Sequence, residues 1–251
     1  MASRRGQMLD GVLLLDKPEG LSSNHALQRA KRTLDARKAG HTGTLDPFAT
    51  GLLVCCTGRA TKISGHMLNA DKGYLATIAF GEETDSGDLT GHVVRCAGEG
   101  FTGVSHEALE GVLACFRGEI EQIPPMYSAL KRDGKPLYEY ARQGIELDRP
   151  ARQVTIHELT LLDCTGREAV IMVQCSKGTY IRTLAQDIGR QLGCGAHLKA
   201  LRRTRVGPFS LDNAISLDAL QAMADPKLAL IPLNALPAGL LPATTQQKDE
   251  L

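Results

Sequence analysis

The chain has 251 residues, of which 43% are apolar and 23% charged, with 26 Gly, 11 Pro and a net charge of +1. At about 1.7 times the ~150-residue prior for a domain, it suits one large domain or one with a small appendage, and the composition excludes a collagenous, low-complexity or wholly disordered chain. The longest apolar runs, GVLLL at 11–15 and GLLVCC at 51–56, fall far short of the ~20 residues of a membrane helix, so no span is expected.

The opening MASRRGQMLD has two arginines without an apolar stretch behind them, and no signal peptide is expected. The terminal KDEL is then read as coincidence, because a receptor-read address has no meaning for a chain outside the secretory pathway. Seven cysteines, odd in number, include no CxxC spacing, which points to neither a disulfide framework nor a zinc site and suits a reducing cytosol. The near-neutral total hides blocks: residues 1–72 carry +5, 73–125 carry −7, 126–210 carry +6 and 211–251 carry −3. A total of +1 argues against a nucleic-acid partner, whereas two basic blocks admit one, and solvated faces would give the same pattern.

In chain order, the apolar run at 11–16 reads as a strand ending in the turn signal Asp16-Lys17-Pro18-Glu19-Gly20. Ser22 or Ser23 can cap a helix through about Leu34, with Ala26, Leu27, Ala30 and Leu34 on one stripe and a basic outer face. Residues 39–50 are too rich in Gly, Thr and Pro to continue it, and Leu52 to Thr57 reads as a buried strand. Tyr74 to Phe80 alternates as a strand, an acidic loop covers Gly81 to Gly91, and Ser105 to Phe116 has helical spacing. Residues 122–152, with four Pro and two Gly around a short helical piece at Leu137 to Arg142, read as a long surface excursion. Strands at Val154 to Leu162 and Val170 to Cys175 follow, then a helix burying Ile181, Leu184, Ala185, Ile188 and Leu192, then a short helix at Ser216 to Met223. Beyond Pro237 the chain turns polar and is expected to fray. Irregular interleaving of strands and helices, with no internal repeat, favours α+β.

The loop GHTGTLDPFATGLL at 40–53 is the strongest local signal. Its glycines permit positive φ or close approach, and Pro47 pushes Asp46 toward an extended backbone, so a constrained loop displays a carboxylate. From spacing alone, that carboxylate could be a nucleophile, a general base, a metal ligand or a turn cap.

This loop resembles the catalytic loop of the bacterial TruB-type tRNA pseudouridine synthases. The likeness continues through GVLLLDKPEGLSS at 11–23, KGYLATIAFGEETDSGD at 72–88, IPPMYSALKRDGKPLYEYARQG at 123–144 and CSKGTYIRTLAQDIGRQLGCGAHLKALRRTRVGPF at 175–209. The resemblance implies an α+β pseudouridine synthase fold, a mixed and largely antiparallel central sheet flanked by helices. It implies isomerisation of the uridine at position 55 in the TΨC loop of tRNA to pseudouridine, by base flipping and without cofactor or metal. One catalytic domain over 10–235 is expected, with residues 122–152 as an RNA-binding thumb and 236–251 as a polar tail. Many relatives continue into a small C-terminal PUA-like RNA-binding domain, and this chain stops about where that would begin.

Residue by residue, the resemblance makes Asp46 the nucleophile and Arg182 its charge partner, which would keep the carboxylate ionised. It makes Tyr74 the residue that stacks on the target base and helps to remove the C5 proton. His41 would fill the space left by the flipped base, and Leu201 would line the uracil pocket. Lys17, Tyr180, Lys131, Arg142, Arg202 and Arg203 are expected among the substrate contacts, the basic ones through phosphates. Arg29, Lys31, Arg32, Arg37, Lys38, Arg132, Lys135, Arg149, Arg152 and Arg205 extend the basic blocks. Asp85 and Asp88 belong to the shared pattern without an assigned role. The tRNA T-arm is the expected partner of a cytoplasmic monomer. Two other readings are a non-catalytic RNA-binding or RNA-remodelling protein using the same surface, and a nucleoside-processing hydrolase with an aspartate nucleophile.

Overall fold

The structure is a computed structural model and describes residues 6–240. The KDEL terminus and most of the expected polar tail lie outside the described residues. The chain divides into two compact units, one formed by the residues up to 73 together with those from 202 onward, the other by residues 74–201.

The first unit opens with β1 (Gly11–Lys17), α1 (Ser23–Thr33), β2 (Ala39–His41), β3 (Thr50–Thr57) and α2 (Ser64–Asn69). Strand β1 runs antiparallel to β3 in unbroken register from Gly11↔Thr57 to Lys17↔Gly51, and β2 pairs with the far end of β3. The two apolar runs of the sequence are these strands, and both of their faces are buried. Val12, Leu14, Leu52, Val54 and Cys56 pack on one side with Ile63 and Met67. Leu13, Leu15, Leu53 and Cys55 face the other side, against Ala26, Leu27 and Ala30 of α1 and Leu34 just after it. Alternation sends successive side chains to opposite faces, so a strand covered on both is apolar throughout. Each fully buried Leu or Val contributes about 1.5–3 kcal/mol. Helix α1 ends as its sequence suggests, on Ser22 as N-cap and Leu34 as C-cap.

The second unit holds β4 (Lys72–Phe80), whose first two residues belong to the first unit, then β5 (Glu82–Thr84), β6 (Val93–Cys96), α3 (His106–Cys115) and β7 (Gly118–Gln122). Strand β6 pairs with β5 as a small hairpin, so the expected acidic loop at 81–91 supplies a short strand and the turn that follows it. The excursion follows as a two-residue hairpin, β8 (Lys131–Arg132) and β9 (Lys135–Pro136), with the short helix α4 (Leu137–Ala141) where helical spacing placed one. Then come β10 (Arg152–Cys164), β11 (Glu168–Cys175) and α5 (Ile181–Gln191). Strand β10 lies antiparallel between β11 and β7. Alternate residues of β11, from Ala169 through Ile171 and Val173 to Cys175, are buried, as are Ile181, Leu184, Ala185 and Ile188 of α5.

Strand β12 (Ala196–Val206) passes from the second unit into the first. It was not legible as a strand, because its buried positions shift phase between Leu198 and Leu201 and include an arginine. In the first unit it runs parallel to β3 through Arg202↔Thr50 and Arg203↔Gly51 and turns back antiparallel as β13 (Phe209–Ser210). Strand β14 (Ile215–Ser216), parallel to β1, and α6 (Leu217–Ala222), capped by Ser216, complete this unit. Parallel and antiparallel pairings mix within it, and the class is α+β, with a mixed sheet and few helices.

No helix among the described residues is long and apolar enough to cross a membrane. Among the described residues no disulfide joins the cysteines, and no His, Cys, Asp and Glu cluster is arranged to hold a metal ion.

Candidate active site

Asp46 stands on the segment between β2 and β3. Its neighbours explain its display: Leu45, Phe48 and Ala49 are buried, whereas Asp46 is half-buried and Pro47 exposed. Ala49 N–H closes a turn onto Asp46 O at 3.1 Å. Around that turn several backbone groups are held. The Arg203 guanidinium donates to Gly43 O (3.2 Å), Thr44 O (3.4 Å) and Leu52 O (2.8 Å). Ser23 Oγ both donates to Leu45 O (3.0 Å) and accepts from Leu45 N–H (2.7 Å). The Lys17 ammonium donates to Pro47 O (3.3 Å), Pro18 O (2.9 Å) and Leu21 O (2.6 Å), and Gly20 N–H also reaches Pro47 O at 2.8 Å.

Two of the residues expected to contact RNA are placed inward. Lys17 is 0% and Arg203 1% exposed, and their charged heads are directed at loop carbonyls rather than outward. A buried charge must be hydrogen-bonded, and here the partners include Pro47 for Lys17 and Gly43 and Thr44 for Arg203, so both residues shape the segment that bears Asp46. Arg202 is half-buried in a fork on Asp16, Nη1 to Oδ1 at 3.1 Å and Nη2 to Oδ2 at 2.7 Å, with a further bond to Thr50 Oγ1.

Electrostatically, the Lys17 ammonium is coupled to the Asp46 carboxylate and to the Arg203 guanidinium. Burial lowers the Lys17 pKa to about 8; Asp46 opposes the fall and the Arg203 charge adds to it. His41, half-buried on β2, also has its pKa lowered, first by burial and then by the Arg203 charge, with a Gly43 backbone hydrogen bond acting against both. At neutral pH it therefore presents a neutral ring.

In the second unit, Arg182 sits in the first turn of α5, 6% exposed. Its Nη1 donates to Ser86 O (2.9 Å) and lies 3.5 Å from Asp88 Oδ2, and its Nη2 donates to Tyr127 O (2.6 Å). Asp88 is itself buried, and its Oδ1 accepts from Ser86 Oγ, Thr90 N–H and Thr90 Oγ1. The acidic loop without an assigned role is thus the seat of the arginine. One face of α5 grips it: Gln186 donates to Thr84 O (2.9 Å) and Arg190 forks onto buried Glu83 (2.6 and 3.2 Å). Gly87, at φ +75°, packs so closely that a Cβ would lie 3.0 Å from Gln186 and 3.2 Å from Arg182. Tyr180 precedes α5, its backbone held on both sides by the buried Gln122 amide, with Tyr180 N–H donating to Oε1 (3.0 Å) and Nε2 donating to Tyr180 O (3.3 Å).

Tyr74 is half-buried on β4, in phase with the buried Ala76, Ile78 and Phe80. Leu201 is 8% exposed on β12. On the excursion Lys131 and Arg142 are exposed, and Arg142 lies over the Tyr138 ring at 5.3 Å. Lys135 lies over Tyr140 at 4.5 Å. Sequence reasoning missed Ser23, Gln122 and the seat formed by Asp88. Only the two adjacent serines and the acidic pattern hinted at them.

Known proteins resemble this chain along almost all of its length. Residues 31–181 match the family model described as TruB family pseudouridylate synthase (N terminal domain), and 182–243 match that of the tRNA pseudouridylate synthase B C-terminal domain. The chain is 77% identical over 244 residues to a protein named tRNA pseudouridine synthase B from Bordetella avium, covering 97% of this chain and 100% of that one. It is 58% identical to the protein of the same name from Aromatoleum aromaticum, covering 94% of this chain and 76% of that one. Among solved structures, a Cbf5-Nop10-Gar1 complex contains a chain that matches with a TM-score of 0.70 at 30% identity, over 90% of this chain and 60% of that chain. An H/ACA RNP bound to a substrate RNA containing 2'-deoxyuridine matches with a TM-score of 0.66 at 28% identity, over 90% of this chain and again 60% of the other. The chain belongs to the TruB family of pseudouridylate synthases.

Proposed function

We propose that this protein isomerises uridine to pseudouridine at position 55 in the TΨC loop of tRNA, flipping the base out and using Asp46 as its nucleophile. The name carried by relatives at 77% identity supports the reaction and the RNA class. The observation that carries the residue assignment is the loop around Asp46. Backbone groups before and after it are pinned by Arg203, Ser23 and Lys17, with the Lys17 ammonium close enough to feel its charge.

The reaction breaks the bond from N1 to C1′, turns the uracil, joins C5 to C1′ and moves one proton from C5 to N1, so nothing is gained or lost. A carboxylate that forms a covalent bond to base or sugar divides this into easier steps. It must be ionised to attack, which nearby cations favour. Arg182 would serve as counter-charge, and its rigid seat suits a group whose direction matters. Tyr74 offers a π-face for the flipped base and a phenol for proton transfer, while a neutral His41 can occupy space in the RNA loop without attracting phosphate. Leu201 would face the uracil. Residues 122–152 would form a thumb over the T-arm through Lys131, Arg142 and their neighbours. The setting we propose is a cytosolic monomer acting without cofactor or metal.

Asp46→Asn preserves shape and removes the nucleophile. We expect pseudouridine formation in a tRNA transcript to be abolished while T-arm affinity stays within about threefold, a shift below the ~1.4 kcal/mol of a tenfold change. Conversion at the parent rate would refute the assignment of Asp46, and release of free uracil would favour the hydrolase reading.

A further inference from the structure

Adjacent serines at the start of α1 are chemically alike but differently engaged. Ser22 is the N-cap, its hydroxyl accepting from His25 N–H at 3.2 Å. Ser23, in the first helical position, is 2% exposed and turns its hydroxyl away from its own helix, 22 residues along the chain, to Leu45. There it accepts from Leu45 N–H at 2.7 Å and donates to Leu45 O at 3.0 Å, so one hydroxyl satisfies both polar groups of the residue before Asp46.

We propose that Ser23 is a positioning residue for the Asp46 carboxylate, an inference that rests on Asp46 being the nucleophile. The backbone after Asp46 is held at Pro47 by Lys17 and Gly20, and the backbone before Leu45 by Arg203. At Leu45 itself, side-chain burial fixes where the residue sits; Arg203 reaches the first flanking peptide plane through Thr44 O at 3.4 Å, and Ser23 holds both planes, through Leu45 N–H and Leu45 O. Without its hydroxyl, Leu45 N–H and C=O are buried and unpaired, a costly condition. The least disruptive relief is rotation of these planes toward water or another hydrogen-bond partner, and the second plane leads directly into Asp46. Alanine in a first helical turn is well tolerated, so the substitution acts on the loop and leaves the helix intact.

Three variants separate this from a plain loss of stability: Ser23→Ala, Ser22→Ala as the helix-cap control, and Asp46→Asn. Each is assayed for the single-turnover rate of pseudouridine formation at saturating enzyme, for T-arm affinity and for melting temperature. Displacement of a reacting group by about 1 Å can cost a hundredfold, so Ser23→Ala is expected to slow the chemical step by about ten- to a hundredfold with affinity within about twofold. Ser22→Ala is expected to lower the melting temperature and leave the rate within about twofold. An unchanged rate in Ser23→Ala, or an equal rate loss in both serine variants, would overturn the proposal. Asp46→Asn distinguishes its failure from failure of the underlying reading: if that variant is inactive while Ser23→Ala is fully active, only the role of Ser23 falls.

Discussion

Among the described residues, the largest fully buried side chains are both cationic, Arg203 and Lys17. The desolvation each suffers is offset by three carbonyls apiece, and hydrogen bonds to charged groups contribute about 1.5–3 kcal/mol each. Neither role could be read from the sequence. A lysine before Pro18 in a turn signal and an arginine in a basic run both look solvated, because the loop carbonyls that turn them inward, Pro47 O for Lys17 and Gly43 O and Thr44 O for Arg203, lie about 30 and about 160 residues away. By contrast, display of Asp46 was legible, since Gly43, Pro47 and Gly51 mark the loop and the flanking Leu45 and Phe48 are apolar. The Lys17 pKa carries a consequence for stability. With the folded value lowered from 10.5 to about 8, the unfolded chain binds more protons between those values, so the Lys17 contribution to stability rises with pH through that window and its penalty is full below it. The stability of the parent relative to Lys17→Met should therefore climb between pH 7.5 and 10, by at most about 3 kcal/mol. Urea unfolding at the two pH values measures it, and equal differences at both would show that Lys17 titrates normally.

At the scale of elements, β1, β3, α1 and α5 emerged from their apolar spacing because burial sets that spacing. Strand β12 did not, since its phase shift and Arg203 disguise it as a basic surface segment. The seat of Arg182 was equally hidden: Arg182, Gln186 and Arg190 follow one another at four-residue spacing on α5, but their partners Ser86, Thr84 and Glu83 come from a loop about 100 residues earlier. The β3–β12 junction depends on Gly51. Its φ is +100° and a Cβ would lie 2.4 Å from Arg203 O and 2.7 Å from Arg203 N. Two backbones leave no room to yield, so Gly51→Ala must part the strands beside Arg203 and disturb the Asp46 loop. Left-handed strain of about 1–2 kcal/mol with overpacking of about 1–3 kcal/mol predicts a loss of about 2–5 kcal/mol in urea unfolding. A loss below about 1 kcal/mol would show that the close approach is readily relaxed.

For the molecule as a whole, the net charge of +1 joins opposed blocks. In the first unit Arg32, Arg37 and Lys38 are exposed, and in the second Lys131, Arg132, Arg142 and Arg152 are, while Arg203 and Lys17 face inward. If about six exposed cations contact phosphates, tRNA affinity should fall by about a thousandfold between 50 and 200 mM salt. Affinity that is flat across this range would contradict an electrostatic footprint. Composition alone could not separate such a footprint from ordinary solvated faces, because it does not distinguish an inward cation from an outward one. The central claim, that the clamped Asp46 loop performs an isomerisation at one uridine, is tested most directly by mapping pseudouridine in a tRNA transcript incubated with the parent protein and with Asp46→Asn. The account predicts one pseudouridine, at position 55, with the parent and none with the variant; an unmodified position 55 with the parent, or modification by both proteins, would contradict it.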